Sequence, residues 1–283
     1  MRIEPPVVSP TSLAEAYGVM ALGTHQPIAG GTDLMVQLEA DEAEPPAAIV
    51  DIWRIEELRG IDYDGYEVAI GALTTYTELR RSPVVRARLP ALEQAAATVG
   101  AAQIQNRGTI GGNICNASPA GDTLPVLLAV EAVFDLGSTQ GERSVPAGGF
   151  WTGYRETARQ PDELLLRVRF PVERRRHTRF RKVGTRAAQA ISKVVMALSY
   201  REDAGVWRDV RLALGSVAAT PIRAPQTESV LEGAAPRETV ADHAAAVLAA
   251  EIQPIDDVRS TAGYRRSVSA RVLHRLLREE GGW

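Results

Sequence analysis

Two glycine-rich segments constrain this chain more than any other feature. The first reads Pro27-Ile28-Ala29-Gly30-Gly31-Thr32-Asp33-Leu34, and the second runs from Thr109-Ile110-Gly111-Gly112-Asn113 through Cys115 and Asn116 to Asp122. Each sets two adjacent glycines among small hydroxyl, amide or carboxylate side chains. Glycine lacks a Cβ, so the main chain there can take positive φ and let an oxygen-rich ligand approach its N–H groups. Each segment alone is compatible with an ordinary tight turn. Together, in a chain of 283 residues, they point to a large, doubly charged ligand such as a dinucleotide. Neither contains the Gly-Lys-Ser/Thr ending of a Walker loop, and neither has the G-x-G-x-x-G register of the Rossmann fingerprint.

Composition narrows the class. Hydrophobic residues at 45% and charged residues at 24% make a soluble globular balance. No apolar run approaches the roughly 20 residues of a membrane span, and the opening residues lack a signal-peptide core, so a cytoplasmic location is expected. A net charge of −3 without a basic tract sets nucleic acid aside. The single cysteine, Cys115, can neither close an internal disulfide nor hold an iron–sulfur cluster by itself. His25, His177, His243 and His274 lack ligand spacing, so no metal site is expected. Cys115 reads as a small loop residue beside the ligand. Of 32 lysines and arginines, only Lys182 and Lys193 are lysines. A compact ammonium fits where a guanidinium does not, which makes both candidate constrained positions.

The pattern along the chain is mixed. Ser12-x-x-Glu15 spells a capping box before a helix that stops near Gly23. Residues 48–52 read as a strand after the acidic link 41–46, residues 65–73 as a strand, 75–81 as a short helix, and 90–99 as a helix closed by Gly100. An apolar helix is expected over 123–130. Asp122 is then either its cap or a ligand contact, and the two roles are compatible. Strands follow near 133–136, 143–146 and 164–171. From about residue 175 the pattern becomes an antiparallel meander (179–183, 192–200, a turn at Asp203-Ala204-Gly205, 210–217), closed by helices over 238–251 and 258–280. Sheet followed by helices marks a separate C-terminal α+β domain.

These elements, in this order, resemble the FAD-binding medium subunit of the molybdenum hydroxylases, the xanthine dehydrogenase and aerobic carbon monoxide dehydrogenase family. The likeness covers essentially the whole chain. Its most specific block is Gln105-Asn106-Arg107-Gly108-Thr109-Ile110-Gly111-Gly112-Asn113 with Ala117-Ser118-Pro119 to Asp122. The segment 29–34 and the stretches 180–184 and 191–194 add to it. The resemblance implies an α+β chain: a two-subdomain FAD-binding domain of the vanillyl-alcohol-oxidase-like type (residues 1–55, α/β, and 56–172, α+β), then a C-terminal α+β domain (173–283). It implies that Pro27, Ile28, Ala29, Gly30, Gly31, Thr32, Asp33 and Leu34 wrap the FAD diphosphate and ribityl chain, with Thr109, Gly111, Gly112 and Asn113 on the other side. Asn116 would lie on the flavin side, and Asp122 would bind a ribityl or ribose hydroxyl. Val99 and Leu165 would pack near the cofactor, with Lys182 close to the isoalloxazine as a flavin-tuning cation. Val99 departs from relatives that carry an aromatic there. Lys193 is expected in a structural ion pair.

The implied function is electron transfer within a three-part molybdenum hydroxylase. A small subunit with 2Fe-2S clusters would feed this FAD, a large molybdopterin subunit would oxidise the substrate, and NAD or another acceptor would take the electrons onward. No side chain need act as acid or base. Two other readings stay open on the residues alone: a stand-alone FAD-dependent oxidase, and a non-catalytic nucleotide-binding scaffold.

Overall fold

Ser12 starts the first helix, α1 (Leu13–Met20), by accepting the Glu15 N–H on its hydroxyl. The Glu15 carboxylate reaches one residue beyond a standard capping box, to the Thr11 N–H at 2.8 Å. The computed structural model describes residues 5–40, 45–173, 175–186 and 189–283, so the opening residues and positions 41–44 of the acidic link lie outside the described residues. Around α1, strands β1 (Val7–Val8), β2 (His25–Ile28) and β3 (Ala48–Asp51) form a parallel sheet in the order β1-β3-β2. Ala16 and Met20 of α1 bury against Val50 together with Leu73, Leu164 and Leu166 from later in the chain. The core of this unit is thus shared with its neighbour. Helix α2 (Leu34–Glu39) directly follows the first glycine segment.

The second sheet is antiparallel. It contains β4 (Ile61–Tyr63), β5 (Glu67–Gly71), β6 (Val133–Ser138) and β7 (Gly141–Pro146). After a two-stranded ribbon, β8 (Trp151–Gly153) with β9 (Glu156–Thr157), comes its central strand β10 (Leu164–Pro171), giving the order β4-β5-β10-β6-β7. The expected strand 65–73 is shorter because the Asp64 carboxylate accepts the N–H groups of Tyr66 and Glu67, both at 2.8 Å, and holds a turn before it. Helices α3 (Tyr76–Arg81), α4 (Pro83–Arg88), α5 (Pro90–Thr98), α6 (Ala102–Gln105), α7 (Ile110–Asn116) and α8 (Leu124–Ala129) pack beside this sheet. Thr75 and Glu78 form a complete capping box on α3.

The C-terminal sheet is an antiparallel run of β11 (Arg176–Val183), β12 (Val194–Asp203), β13 (Val206–Gly215) and β14 (Ile222–Arg223), followed by α9 (Pro225–Leu231), α10 (Glu238–Glu251) and α11 (Ala262–Gly281). Ala204 (φ +49°) and Gly205 (φ +79°) make the tight β12–β13 turn expected at that position. Residues 194–200 are buried without a break, because both faces of the sheet are covered. Val194, Met196, Leu198 and Tyr200 join Leu248, Leu273 and Leu277 of α10 and α11, while Val195 and Ala197 join the core of the FAD-side unit. Truncating Met196 or Leu198 to Ala would cost about 2–5 kcal/mol. Helix α11 starts at Ala262, four residues later than expected. The Asp257 carboxylate first takes the N–H groups of Arg259 and Ser260, and Thr261 then caps the helix. Among the described residues, no helix is long and apolar enough to cross a membrane.

Candidate functional site

The first glycine segment leaves β2 at Ile28 and turns into α2, with Gly31 at φ +74°. A Cβ on Gly30 would lie 1.9 Å from the carbonyl oxygen of Arg107. The first glycine segment therefore meets the chain at Arg107-Gly108, just ahead of the second segment, main chain to main chain, a contact that any side chain at position 30 would forbid. The Arg107 guanidinium sits 3.8 Å from the Trp53 ring centroid, tying the contact to the end of the first sheet. Among the described residues, the N–H groups of Gly30, Gly31, Thr32 and Asp33 donate to no protein acceptor. They are bare donors beside a cavity.

The second segment is built differently. Residues 110–116 are not a turn but the helix α7, with Thr109 as its N-cap. The Thr109 hydroxyl accepts the Gly112 N–H at 3.0 Å, and its carbonyl accepts the Asn113 N–H at 3.1 Å. The N–H groups of Ile110 and Gly111 donate to the carbonyls of Thr74 (3.0 Å) and Ala72 (2.9 Å). All four amides are bonded within the protein. A Cβ on Gly111 would come within 2.7 Å of Ala72, so that glycine allows α7 to pack closely. Gly112 is exposed, and a Cβ there would meet only the Thr109 hydroxyl, at 3.0 Å.

Two adjoining cavities, of about 290 Å³ and 990 Å³, share six wall residues: Thr32, Asp33, Tyr76, Asn113, Asn116 and Arg155. The smaller cavity is lined by the first segment on one side and by Thr109, Gly111, Gly112 and Leu165 on the other. The larger one carries Val99, Asp122 and Lys182 and reaches into the C-terminal domain. Every residue that the resemblance places against FAD lines one cavity or the other, whereas Lys193 lines neither. At their junction, Asn116 donates to Asp33 (2.9 Å) and accepts from Arg155 (2.9 Å) and Gln37 (3.3 Å). Burial pushes the Asp33 carboxyl up, opposed by the Arg155 charge and the Asn116 hydrogen bond. A jointed space with bare amides at its waist suits a dinucleotide, whose two nucleoside halves flank a diphosphate. The residues fit FAD.

Asp122 is not a helix cap, since Thr123 occupies that position in α8. Its Oδ2 accepts from Lys182 Nζ at 2.5 Å and from the Thr98 hydroxyl at 3.1 Å, and its Oδ1 accepts from the Ser192 hydroxyl. Burial pushes this carboxyl up, with the Lys182 ammonium opposing. A carboxylate has about four acceptor positions, so room remains for one ligand hydroxyl. Lys182 lines the larger cavity as half of an ion pair, which weakens its field at a ligand. Lys193 makes no ion pair among the described residues of this chain. Its ammonium lies 4.9 Å from the Tyr264 ring centroid, a cation–π contact. Cys115 sits on α7, not in a loop. Burial pushes its thiol up to about 11, so it is protonated near neutral pH and unsuited to nucleophilic attack.

Tyr76, Arg155 and Arg159 also line the smaller cavity, yet no motif marks them. Tyr76 follows a helix cap in the sequence, and Arg155 sits on the tip of the β8–β9 ribbon.

A jointed, glycine-walled cleft closed by a C-terminal α+β domain defines a flavoprotein of the two-subdomain FAD-binding class. Residues 2–173 match the family model described as the FAD binding domain in molybdopterin dehydrogenase, and residues 179–280 match that of the CO dehydrogenase flavoprotein C-terminal domain. The chain is 34% identical over 275 residues to the carbon monoxide dehydrogenase medium chain of Hydrogenophaga pseudoflava, covering 95% of this chain and 94% of that one. It is 36% identical over 228 residues to the xanthine dehydrogenase FAD-binding subunit of Escherichia coli O157:H7 (79% and 77%). A solved carbon monoxide dehydrogenase chain from Hydrogenophaga pseudoflava superposes with a TM-score of 0.93 at 32% identity, over 97% and 96% of the two chains. The chain belongs to the FAD-binding medium-subunit family of the molybdenum hydroxylases. It is an oxidoreductase subunit, and its cofactor is FAD.

Proposed function

We propose that this chain is the middle carrier of a three-part, cytoplasmic molybdenum hydroxylase. It takes electrons from 2Fe-2S clusters of a small subunit and hands them to NAD or another acceptor, while a large molybdopterin subunit oxidises the substrate. The carrying observation is the jointed cleft, with bare amides at residues 30–33 and walls from both the FAD-side units and the C-terminal domain. Relatives named as medium chains or FAD-binding subunits support the partnered reading. With Cys115 as its only cysteine, the chain cannot furnish the thiolates that a cluster takes.

Bound in the cleft, FAD supplies the exchange between one-electron donors and a two-electron acceptor. The main chain at 30–33 donates to the diphosphate, with Pro27, Ile28, Ala29 and Leu34 shaping that wall. Thr109 and Asn113 contribute side chains opposite, Gly111 and Gly112 contribute space, and Asn116 fixes the junction. Asp122, already held by Lys182, Thr98 and Ser192, accepts a ribityl or ribose hydroxyl. Val99 and Leu165 keep water from their sections of wall. The same reading divides the chain at 55/56 and 172/173.

Purifying the tagged chain from its native cells tests this. Two co-purifying partners are expected, one with iron–sulfur absorbance and one containing molybdenum, together with a flavin spectrum that bleaches when the complex meets its substrate. A yellow chain that works alone, oxidising a substrate with oxygen as acceptor, would overturn the partnered reading.

A further inference from the structure

The waist of the cleft raises a charge problem. A diphosphate placed at the junction meets the carboxylate of Asp33, and main-chain N–H groups carry only partial charges. Among the six residues common to both cavities, Arg155 is the single cation. Elsewhere on the walls, Lys182 is paired with Asp122, Arg265 is held by both oxygens of Asp257 at 2.8 Å, and Arg159 donates to the carbonyls of Gln160 and Glu163. Arg186, which donates to the Gln189 carbonyl, and Arg259 line only the larger cavity, away from the junction. Arg155 makes no ion pair among the described residues. Its one hydrogen bond goes to Asn116 Oδ1, leaving most of its five donors unused.

Its backbone is as telling as its partners. Arg155 occupies the second loop position of the β8–β9 ribbon at φ +57°, a conformation that glycine or asparagine adopts more readily. The side chain is exposed and reaches from the ribbon tip to Asn116 of α7, at the junction of the two cavities.

We infer that Arg155 is a ligand-binding residue: its guanidinium engages the diphosphate of the dinucleotide at the junction of the two cavities and offsets the Asp33 carboxylate there. The ribbon tip then acts as an arm over the waist of the cleft. This rests on the FAD-binding reading of the same site and adds a charged contact to it.

The test uses the full chain stripped of flavin, with affinities for FAD and for riboflavin, which lacks the diphosphate, measured by flavin fluorescence. Arg155→Met should weaken FAD binding roughly tenfold at low salt, with the gap narrowing at high salt, and should leave riboflavin binding where it was. Arg155→Lys should recover part of the loss, since it keeps the charge without the planar fork. Equal weakening of both flavins would mean that Arg155 acts only through Asn116, and unchanged FAD affinity would remove it from the site. Either result overturns this inference and leaves the FAD reading intact, whereas a wild-type chain that binds no FAD overturns both.

Discussion

The two glycine segments have nearly the same composition and do different jobs. Residues 30–33 keep their N–H groups bare, because the chain there has left β2 and has not yet entered the bonded part of α2. Residues 110–113 have spent theirs on Thr109, Ala72 and Thr74. Glycine serves close approach in both, but to different things. Gly30 admits the Arg107 carbonyl, Gly111 admits Ala72, and Gly112 leaves space toward the cavity. A double glycine therefore says that something comes near the main chain, without saying whether it is ligand or protein.

Substitutions can break or sharpen that contrast. Gly30→Ala should have the largest effect. Its Cβ would overlap a main-chain oxygen that has little freedom to move, so a loss of about 3 kcal/mol is expected, read as a lowered unfolding midpoint together with flavin loss. A variant as stable as the wild type would show that Gly30 does not touch the Arg107 main chain. Gly112→Val should empty the site while sparing the fold, since its side chain projects into ligand space. Absorbance would show flavin content near zero beside an almost unchanged unfolding curve. Full occupancy would take the second segment out of the ligand wall. Gly111→Ala should do the reverse, destabilising the chain by about 1–3 kcal/mol through crowding against Ala72, with flavin loss tracking unfolding.

The smallest effect concerns Cys115, beside Gly112 on α7. With its thiol pushed up to about 11 by burial, alkylation by iodoacetamide at pH 8 should be slow. It should speed up roughly tenfold per pH unit on the way to that value, because the thiolate is the nucleophile. The same shift has a definite sign for stability: folding disfavours the thiolate, so this group's contribution is lost as pH rises from its ordinary 9.0 toward about 11. Fast reaction at pH 8 would show that α7 is open to solvent.

Much of the architecture is legible from short-range signals. The Ser12 and Thr75 caps, the turn at Ala204-Gly205, and the β10 and β12 runs all depend on residues within a few positions of one another. Errors arise where a distant partner intervenes. Asp122 precedes an apolar helix and reads as a cap, a ligand contact or both; the cap role fails because Lys182 and Ser192, 60 and 70 residues away, take its carboxylate. Tyr76 and Arg155 sit in unremarkable local sequence and reach the cleft only because the chain returns there.

By its letters alone, the chain determined where side chains are absent, where the capped helices α1 and α3 begin, and that a bulky anionic ligand has two places to approach the main chain. Which of those amides stay free was decided only in three dimensions. An N–H is available to a ligand when no protein carbonyl lies within reach, and the carbonyls of Ala72 and Thr74 come from a strand end and a turn more than thirty residues upstream of α7.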